Sequence, residues 1–382
     1  MSRPDTARTI LALNCGSSSL KFALFSVDAA RAESLIEGEA EAIGAPDGRF
    51  SARAKDRELV AQNGAIGTLA EAAQRAFALL AEQGAPAPSA IGHRIVHGGP
   101  SVRRHCLINA EVLRALDAAR VFAPLHAPAA LEVVREAQAH FGAIPHIACL
   151  DTAFHRDLPD VAKRFPIAAA LQADGVERYG FHGLSCESIL RQLGEAAPER
   201  LVIAHLGSGC SVTAVRGGRS IDTSMGLTPS GGVMMATRSG DLDPGLVVYL
   251  IRKHGLDADG LEAAIDRQAG MAGVSGLSGD MRKLRQAGEN ADAGLAIRMF
   301  VYSVRKQIAA MAAALEGLDL LVFTGGVGEH DARTRAEICA GLSWLGVAPN
   351  GGPDEGVAVR ALPANEDEQI ARHAWALTAA DR

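Results

Sequence analysis

Aromatic residues are scarce. Phe, Trp and Tyr together make up 4% of the chain, so a core must be built mainly from Ala, Val, Leu and Ile. Long basic runs are missing and the formal net charge is −6, which argues against nucleic acid as the main partner. A local basic pocket for an anion is still allowed. No window approaches the ~18 apolar residues of a membrane span. The opening MSRPDTARTILALNCG has charges but no extended apolar core, so no secretory signal is expected and a cytoplasmic location is. The six cysteines (Cys15, Cys106, Cys149, Cys186, Cys210, Cys339) form no C-x-x-C pair, so neither a zinc site nor a disulfide framework is expected. No Walker A loop occupies the Gly/Ser-rich segment near the start.

What is present is glycine, at 41 residues, and enough length, at 382 residues, to favour two domains. Thr9 to Leu13 reads as a strand, Asn14 to Ser19 as a polar tip and Leu20 to Val27 as a second strand, which together make a hairpin. The same event recurs at Leu201 to Leu206, Gly207 to Ser211 and Val212 to Val215, a weak sign of internal duplication. Pro128 to Phe141 has helical spacing, and Ile144 to Leu150 is a buried strand ending at Asp151. Ala291 to Leu315 reads as a long amphipathic helix with Leu295, Met299, Tyr302, Ile308 and Met311 in the core. It feeds a strand from Leu318 to Phe323. Such alternation argues for α/β units, whose ligands gather at the carboxyl ends of strands.

Several polar runs can carry chemistry, and each also has a plainer reading. The tip Asn14-Cys15-Gly16-Ser17-Ser18-Ser19, with Lys21 beyond it, offers N–H groups, hydroxyls, an amide and a charge to phosphate oxygens; it reads equally as a solvated turn. Arg94, in His93-Arg94-Ile95-Val96-His97, has a planar fork that suits carboxylate or phosphate, or it is a surface arginine. Asp151 can hold Mg²⁺ or cap a helix. His182, between glycines, can donate to a phosphoryl group or hold a loop. Arg238 adds a second guanidinium, or an ion pair with Asp241 or Asp243. The glycine cluster Gly325-Gly326-Val327-Gly328 lets a nucleotide approach the backbone, though tight strand-to-helix turns also want glycine. Glu366, just before a helix from Asp367 to Leu377, is a metal carboxylate or a first-turn residue that favours the helix dipole.

Taken in order, the runs NCGSSSLKF, HRIVHGG, APLHAP, LDTAFH, YGFHG, HLGSG, DTSMGLTP, TRSGDLDP, FTGGVGEH and PANEDEQIAR resemble the acetate kinase family of the sugar kinase, Hsp70 and actin superfamily. The resemblance spans nearly the whole chain. It implies an α/β fold of two duplicated actin-like (ribonuclease H-like) domains with mixed sheets flanked by helices, an active site in the interdomain cleft, and a homodimer. The first domain would span 1–152, completed by the helix 366–382, and the second, with the nucleotide loop, 153–365. The implied reaction is reversible phosphoryl transfer from ATP to the carboxylate of acetate, giving acetyl phosphate and ADP, with Mg²⁺ or Mn²⁺.

By the same resemblance Asp151, Arg94, Arg238 and His182 are catalytic. Arg94 also binds the acyl substrate, whose methyl group sits among Val96, Leu125, Phe181 and Pro229. Asn14, Ser17, Ser18, Ser19 and Lys21 form the first phosphate motif. His205, Gly207, Ser208, Gly209, Gly325, Gly326, Val327, Gly328 and His330 serve the nucleotide, and His126 is a further active-site histidine. Asn14 and Glu366 attend the metal. The chain also departs from the family. Ser208 and His330 stand where Asn is common, Ala127 replaces Asn, Leu184-Ser185-Cys186 replaces TSH, and Gly231 replaces Glu. The first two bear on the nucleotide, so a donor such as pyrophosphate is one alternative. A propionate or butyrate kinase of the same superfamily is another. A non-catalytic actin-like scaffold has no reason to keep two arginines beside an apolar pocket.

Overall fold

The structure is a computed structural model, and it describes residues 7–123, 127–347 and 356–379. The chain divides into two compact units, Met1–Ala153 with Asn365–Arg382, and Phe154–Ala364.

Among the described residues of the first unit eight strands form one sheet. They are β1 (Arg8–Cys15), β2 (Leu20–Val27), β3 (Ala32–Glu41), β4 (Arg49–Ala54), β5 (Arg57–Asn63), β6 (Ala90–Ile95), β7 (Cys106–Leu107) and β8 (His146–Leu150). Their order is β5-β4-β3-β2-β1-β6-β8-β7. β1 and β2 are nearly continuous apolar runs, as strands covered on both faces must be. They pair antiparallel with Asn14 opposite Lys21 and Cys15 opposite Leu20. Asn14 and Cys15 therefore belong to the strand, not to the tip as expected. The turn is only Gly16 to Ser19, closed by the Gly16 N–H on the Ser19 carbonyl at 2.8 Å. The helix Leu69–Glu82 starts where the Thr68 side chain accepts the Glu71 N–H. Its Phe77 packs with Leu11, Leu13, Phe22 and Val133 in the core. The C-terminal helix Glu366–Ala379 packs against β1, β6, β2 and β8. Gly92 permits this approach, since a Cβ there would lie 2.6 Å from Ile370.

The second unit holds β9 (Arg200–Leu206), β10 (Cys210–Arg216), β11 (Arg219–Thr223), β12 (Leu320–Thr324) and β13 (Ala358–Ala361), in the order β11-β10-β9-β12-β13. β10 is antiparallel to β9 and β11, while β12 runs parallel to β9 and β13 to β12. The stretch β3-β2-β1-β6-β8 of the first unit has the same order and the same sense at every step. The faint repeat in the sequence is thus a repeat of five strands.

Two expectations fail here. The helix Ala291–Ala314 buries Ala293, Ala296, Phe300, Val304, Ile308 and Met311. Leu295, Met299 and Tyr302, expected in the core, are exposed. Choosing the bulkiest apolar residues misplaced the N-terminal half of the stripe, because alanines supply the buried face there. The glycine cluster, expected as a loop, is a helix, Gly325–His330, that starts directly from β12. Among the described residues no helix is long and apolar enough to cross a membrane.

Candidate active site

Within the first unit, parallel pairing builds a charged cluster. β6 and β8 run in register, with Ile95 opposite Leu150. The ladder extends one step, as the Asp151 N–H reaches the Ile95 carbonyl at 3.0 Å. This brings Asp151 beside Arg94 at the carboxyl ends of both strands. Arg94 Nε and Nη2 donate to Asp151 Oδ2 at 2.9 and 2.6 Å. Asp151 is fully buried and the Arg94 side chain is 17% exposed. Burial alone would loosen the guanidinium's proton, but the negative charges of Asp151 and Glu366 outweigh it and hold the Arg94 pKa above its ordinary value. Asp151 does not act as a helix cap: its Oδ2 serves the arginine.

Arg94 also reaches Asn14, with Nη1 donating to Asn14 Oδ1 at 3.2 Å. The Asn14 amide nitrogen in turn donates to Asp367 Oδ1 at 2.8 Å and Glu366 Oε2 at 3.3 Å. An unbroken chain of hydrogen bonds therefore runs from Asp151 through Arg94 and Asn14 to two carboxylates. The sequence marks Asp367 only as the start of a helix, with no role at the site. The Asn-Glu-Asp-Glu run signals a helix start, and nothing in it marks the second acid for Asn14. Ser17, Ser18 and Lys21 are exposed, and Ser19 is half-buried. Val96, just past β6, is buried. Leu125 and His126 lie outside the described residues.

Within the second unit, donors converge on a glycine. His182 has φ 57° as the residue that precedes the helix Gly183–Leu193. Its ring stacks on that of His205 with centroids 4.1 Å apart. Serines set both rings: His182 Nδ1 meets Ser211 Oγ at 3.0 Å and His205 Nδ1 meets Ser185 Oγ at 2.9 Å. His182 Nε2 therefore turns to Gly209, where a Cβ would lie 3.4 Å from it and 3.5 Å from Arg238 Nη1. Arg238 Nη1 also donates to the Pro229 carbonyl at 3.1 Å. Asp241 accepts from the Gly232 N–H and Gln307, while Asp243 caps the helix Pro244–His254. Both acids have other tasks than pairing with Arg238.

His155 holds the Phe181 backbone. Its Nε2 donates to the Phe181 carbonyl at 3.0 Å and its Nδ1 accepts from Ser220. Phe181 is buried and Pro229 half-buried. The Gly207 N–H closes on the Gly209 carbonyl at 3.1 Å, with Ser208 exposed at the apex. Gly325 has φ 76°, and a Cβ there would meet the Leu206 carbonyl at 2.8 Å and His205 Nε2 at 3.1 Å, so only glycine fits. Glu329, missed in the sequence, accepts the N–H groups of Gly325 and Ala364. Gly326 has open space before it, Val327 is half-buried, Gly328 is buried and His330 is exposed.

Residues 9–356 match the model of the acetokinase family. The chain belongs to the acetokinase family. An acetate kinase of Nitrobacter hamburgensis is 40% identical over 97% of this chain and 96% of its own length. One of Deinococcus deserti is 43% identical over 97% and 98%. Among solved structures, a propionate kinase from Francisella tularensis has a TM-score of 0.89 at 34% identity, covering 97% of this chain and all of its own. The Porphyromonas gingivalis acetate kinase has a TM-score of 0.85 at 32% identity, with 97% and 100% covered. These acetokinase-fold neighbours agree with the duplicated mixed sheets described above.

Proposed function

We propose that this acetokinase-family chain transfers a phosphoryl group reversibly between ATP and the carboxylate of acetate. The observation that carries the reading is the convergence of His182 Nε2 and Arg238 Nη1 on Gly209, where no side chain intervenes. Phosphoryl transfer asks mainly for positioning and for donors to the charge on the equatorial oxygens. A carboxylate is already a nucleophile, so no strong base is needed. Arg94, locked by Asp151, orients that carboxylate, with Val96, Phe181, Pro229 and Leu125 as the proposed methyl site. The turn at Gly207 to Gly209 and the helix start at Gly325 to Gly328 admit the nucleotide, with Ser17 to Ser19 and Lys21 toward its phosphates. We take the two units as the two domains of the duplicated fold.

Hard carboxylate oxygens suit magnesium. Glu366 and Asp367 both accept from the Asn14 amide nitrogen, and Glu366 would hold the ion. Asn14 offers them its nitrogen and gives its oxygen to Arg94, so its contribution is to orient its neighbours. When bound, magnesium neutralises charge on the donor phosphates, and Mn²⁺ meets the same preference. A hydroxamate assay with ATP, Mg²⁺ and each of acetate, propionate and butyrate tests the reading. Acyl hydroxamate from acetate is expected, and none from any acid overturns it.

The Francisella neighbour named a propionate kinase supports a second reading, in which propionate is preferred. Relative kcat/KM for the acids separates the two. Exposed His330 and Ser208 motivate including pyrophosphate among the donors. We further propose a cytoplasmic homodimer. The helix Pro244–His254 buries no residue and exposes Leu246, Val248, Tyr249 and Ile251 on more than one side, apolar surface that suits a second copy. Light scattering at twice the chain mass is expected.

A further inference from the structure

The nearest hydrogen-bond partner of the Asn14 amide nitrogen is Asp367, at 2.8 Å, ahead of Glu366 at 3.3 Å. Asn14 is 8% exposed, so its amide has little water to fall back on. Its orientation is chemically forced. Turned by 180°, the amide would set its NH₂ against the Arg94 guanidinium and its oxygen against two carboxylates. Asp367 is presented at the start of the C-terminal helix, after Asn365, whose φ of 43° is left-handed for a residue other than glycine. The helix is held on the sheet by its contacts with β1 and β6, the strands that carry Asn14 and Arg94. Asp367 and Lys21 also line one cleft of about 640 Å³.

We propose that Asp367 is a positioning residue for the phosphoryl transfer. It fixes the Asn14 amide, and through Asn14 Oδ1 it fixes the plane of the Arg94 guanidinium that orients the acyl carboxylate. The inference rests on the proposed reaction. It separates Asp367 from a purely metal-facing acid, because its effect must pass through Asn14.

The test is a double-mutant cycle of wild type, Asp367→Ala, Asn14→Ala and the double variant, with Asp367→Asn added. Asparagine keeps an oxygen that can accept the amide N–H but removes the charge. Asp367→Ala is expected to lower kcat/KM for acetate about 10-fold, and to lower it no further in the Asn14→Ala background. Asp367→Asn should stay within about threefold of wild type if the hydrogen bond is what matters. Circular dichroism and melting of each variant identify any that misfold, and Asp367→Asn then stands in for an unfolded alanine variant in the cycle, the two losses again failing to add. The proposal is overturned if Asp367→Ala equals wild type, if its loss is undiminished without Asn14, or if Asp367→Asn is as damaged as Asp367→Ala. A wild type inactive on every acid overturns the reaction itself, whereas an active wild type without coupling overturns only the role of Asp367.

Discussion

The two units hold their polar residues by different means. The first unit ties Arg94, Asp151, Asn14, Glu366 and Asp367 into one charged network of hydrogen bonds within its own fold. The second holds His182, His205 and Arg238 with serine hydroxyls and a backbone carbonyl. A buried charge network depends on every member, because losing one leaves another charge uncompensated. Rings held by serines and an arginine on a carbonyl can be changed one at a time. The first unit's site should therefore be bound up with its stability, and the second's mainly with turnover.

The sharpest test of that contrast is Asp151→Ala. It leaves the mostly buried Arg94 without its closest counter-charge and should lower unfolding free energy by about 3–5 kcal/mol, read by urea titration. Arg238→Ala should do the opposite. Turnover should fall about 10²–10³-fold, as when one preorganised donor is removed, while the urea midpoint hardly moves. Normal turnover in folded Arg238→Ala would remove Arg238 from the reaction. A large loss of stability in that variant would erase the contrast.

Acidification gives a smaller difference of the same kind. Burial holds His146 and His155 at about 4 and His93 well below its ordinary value, the last also because His146 is beside it. All three are neutral when folded near pH 7; His146 and His155 gain a proton on unfolding between pH 6.5 and about 4, and His93 does so as pH falls below its ordinary value. The unfolded chain binds more protons in that window, so stability is full above it and falls as pH drops through it. The slope is on the order of 1 kcal/mol per pH unit for each histidine. The first unit contains two of them, His93 and His146, with ring nitrogens 2.9 Å apart, and the second contains His155. Pulse-labelling hydrogen exchange after equilibration in urea at pH 7 and pH 5 should show the first unit losing more protection. An equal loss in both units would mean that other groups dominate.

The sequence was most legible where a pattern has one physical solution. The apolar runs around the serine tip could only be a hairpin, and β2 spans Leu20–Val27 as read. The helix Ala291–Ala314 was found but its face was misjudged, since alanine carries little hydrophobic signal and still fills a core beside Phe300. The glycine cluster was ambiguous because a nucleotide turn and a helix start both need glycine, and Gly325 meets the second need with φ 76°. Arg94 and Asp151 were legible as single residues, but their pairing depends on the register of β6 against β8. Register between distant strands is not written in either run. The same holds for Asp367 and Glu329, whose partners lie 353 and 35 residues away along the chain.

The smallest expected effect concerns chain length, and Val96 is where it should appear. Val96 is 6% exposed just past β6, two residues from Arg94, so a side chain there is near the arginine proposed to hold the carboxylate. Its branched Cβ has few rotamers and cannot swing aside. Burying one further methylene would favour binding by about 0.8 kcal/mol where space exists. Forcing it into a filled site costs about 1–3 kcal/mol, so sterics should win and wild type should favour acetate over butyrate. Val96→Ala removes the obstruction and leaves the Arg94 network untouched. The ratio of kcat/KM for propionate and butyrate over acetate should rise roughly fourfold for each methylene admitted, the equivalent of that 0.8 kcal/mol. Acetate itself should lose more in KM than in kcat, because the lost contact is made equally before and during transfer. If wild type already prefers butyrate, or the variant leaves the three ratios unchanged, Val96 does not wall the acyl site. The phosphoryl-transfer reading, which rests on Arg238 and His182, would stand without it.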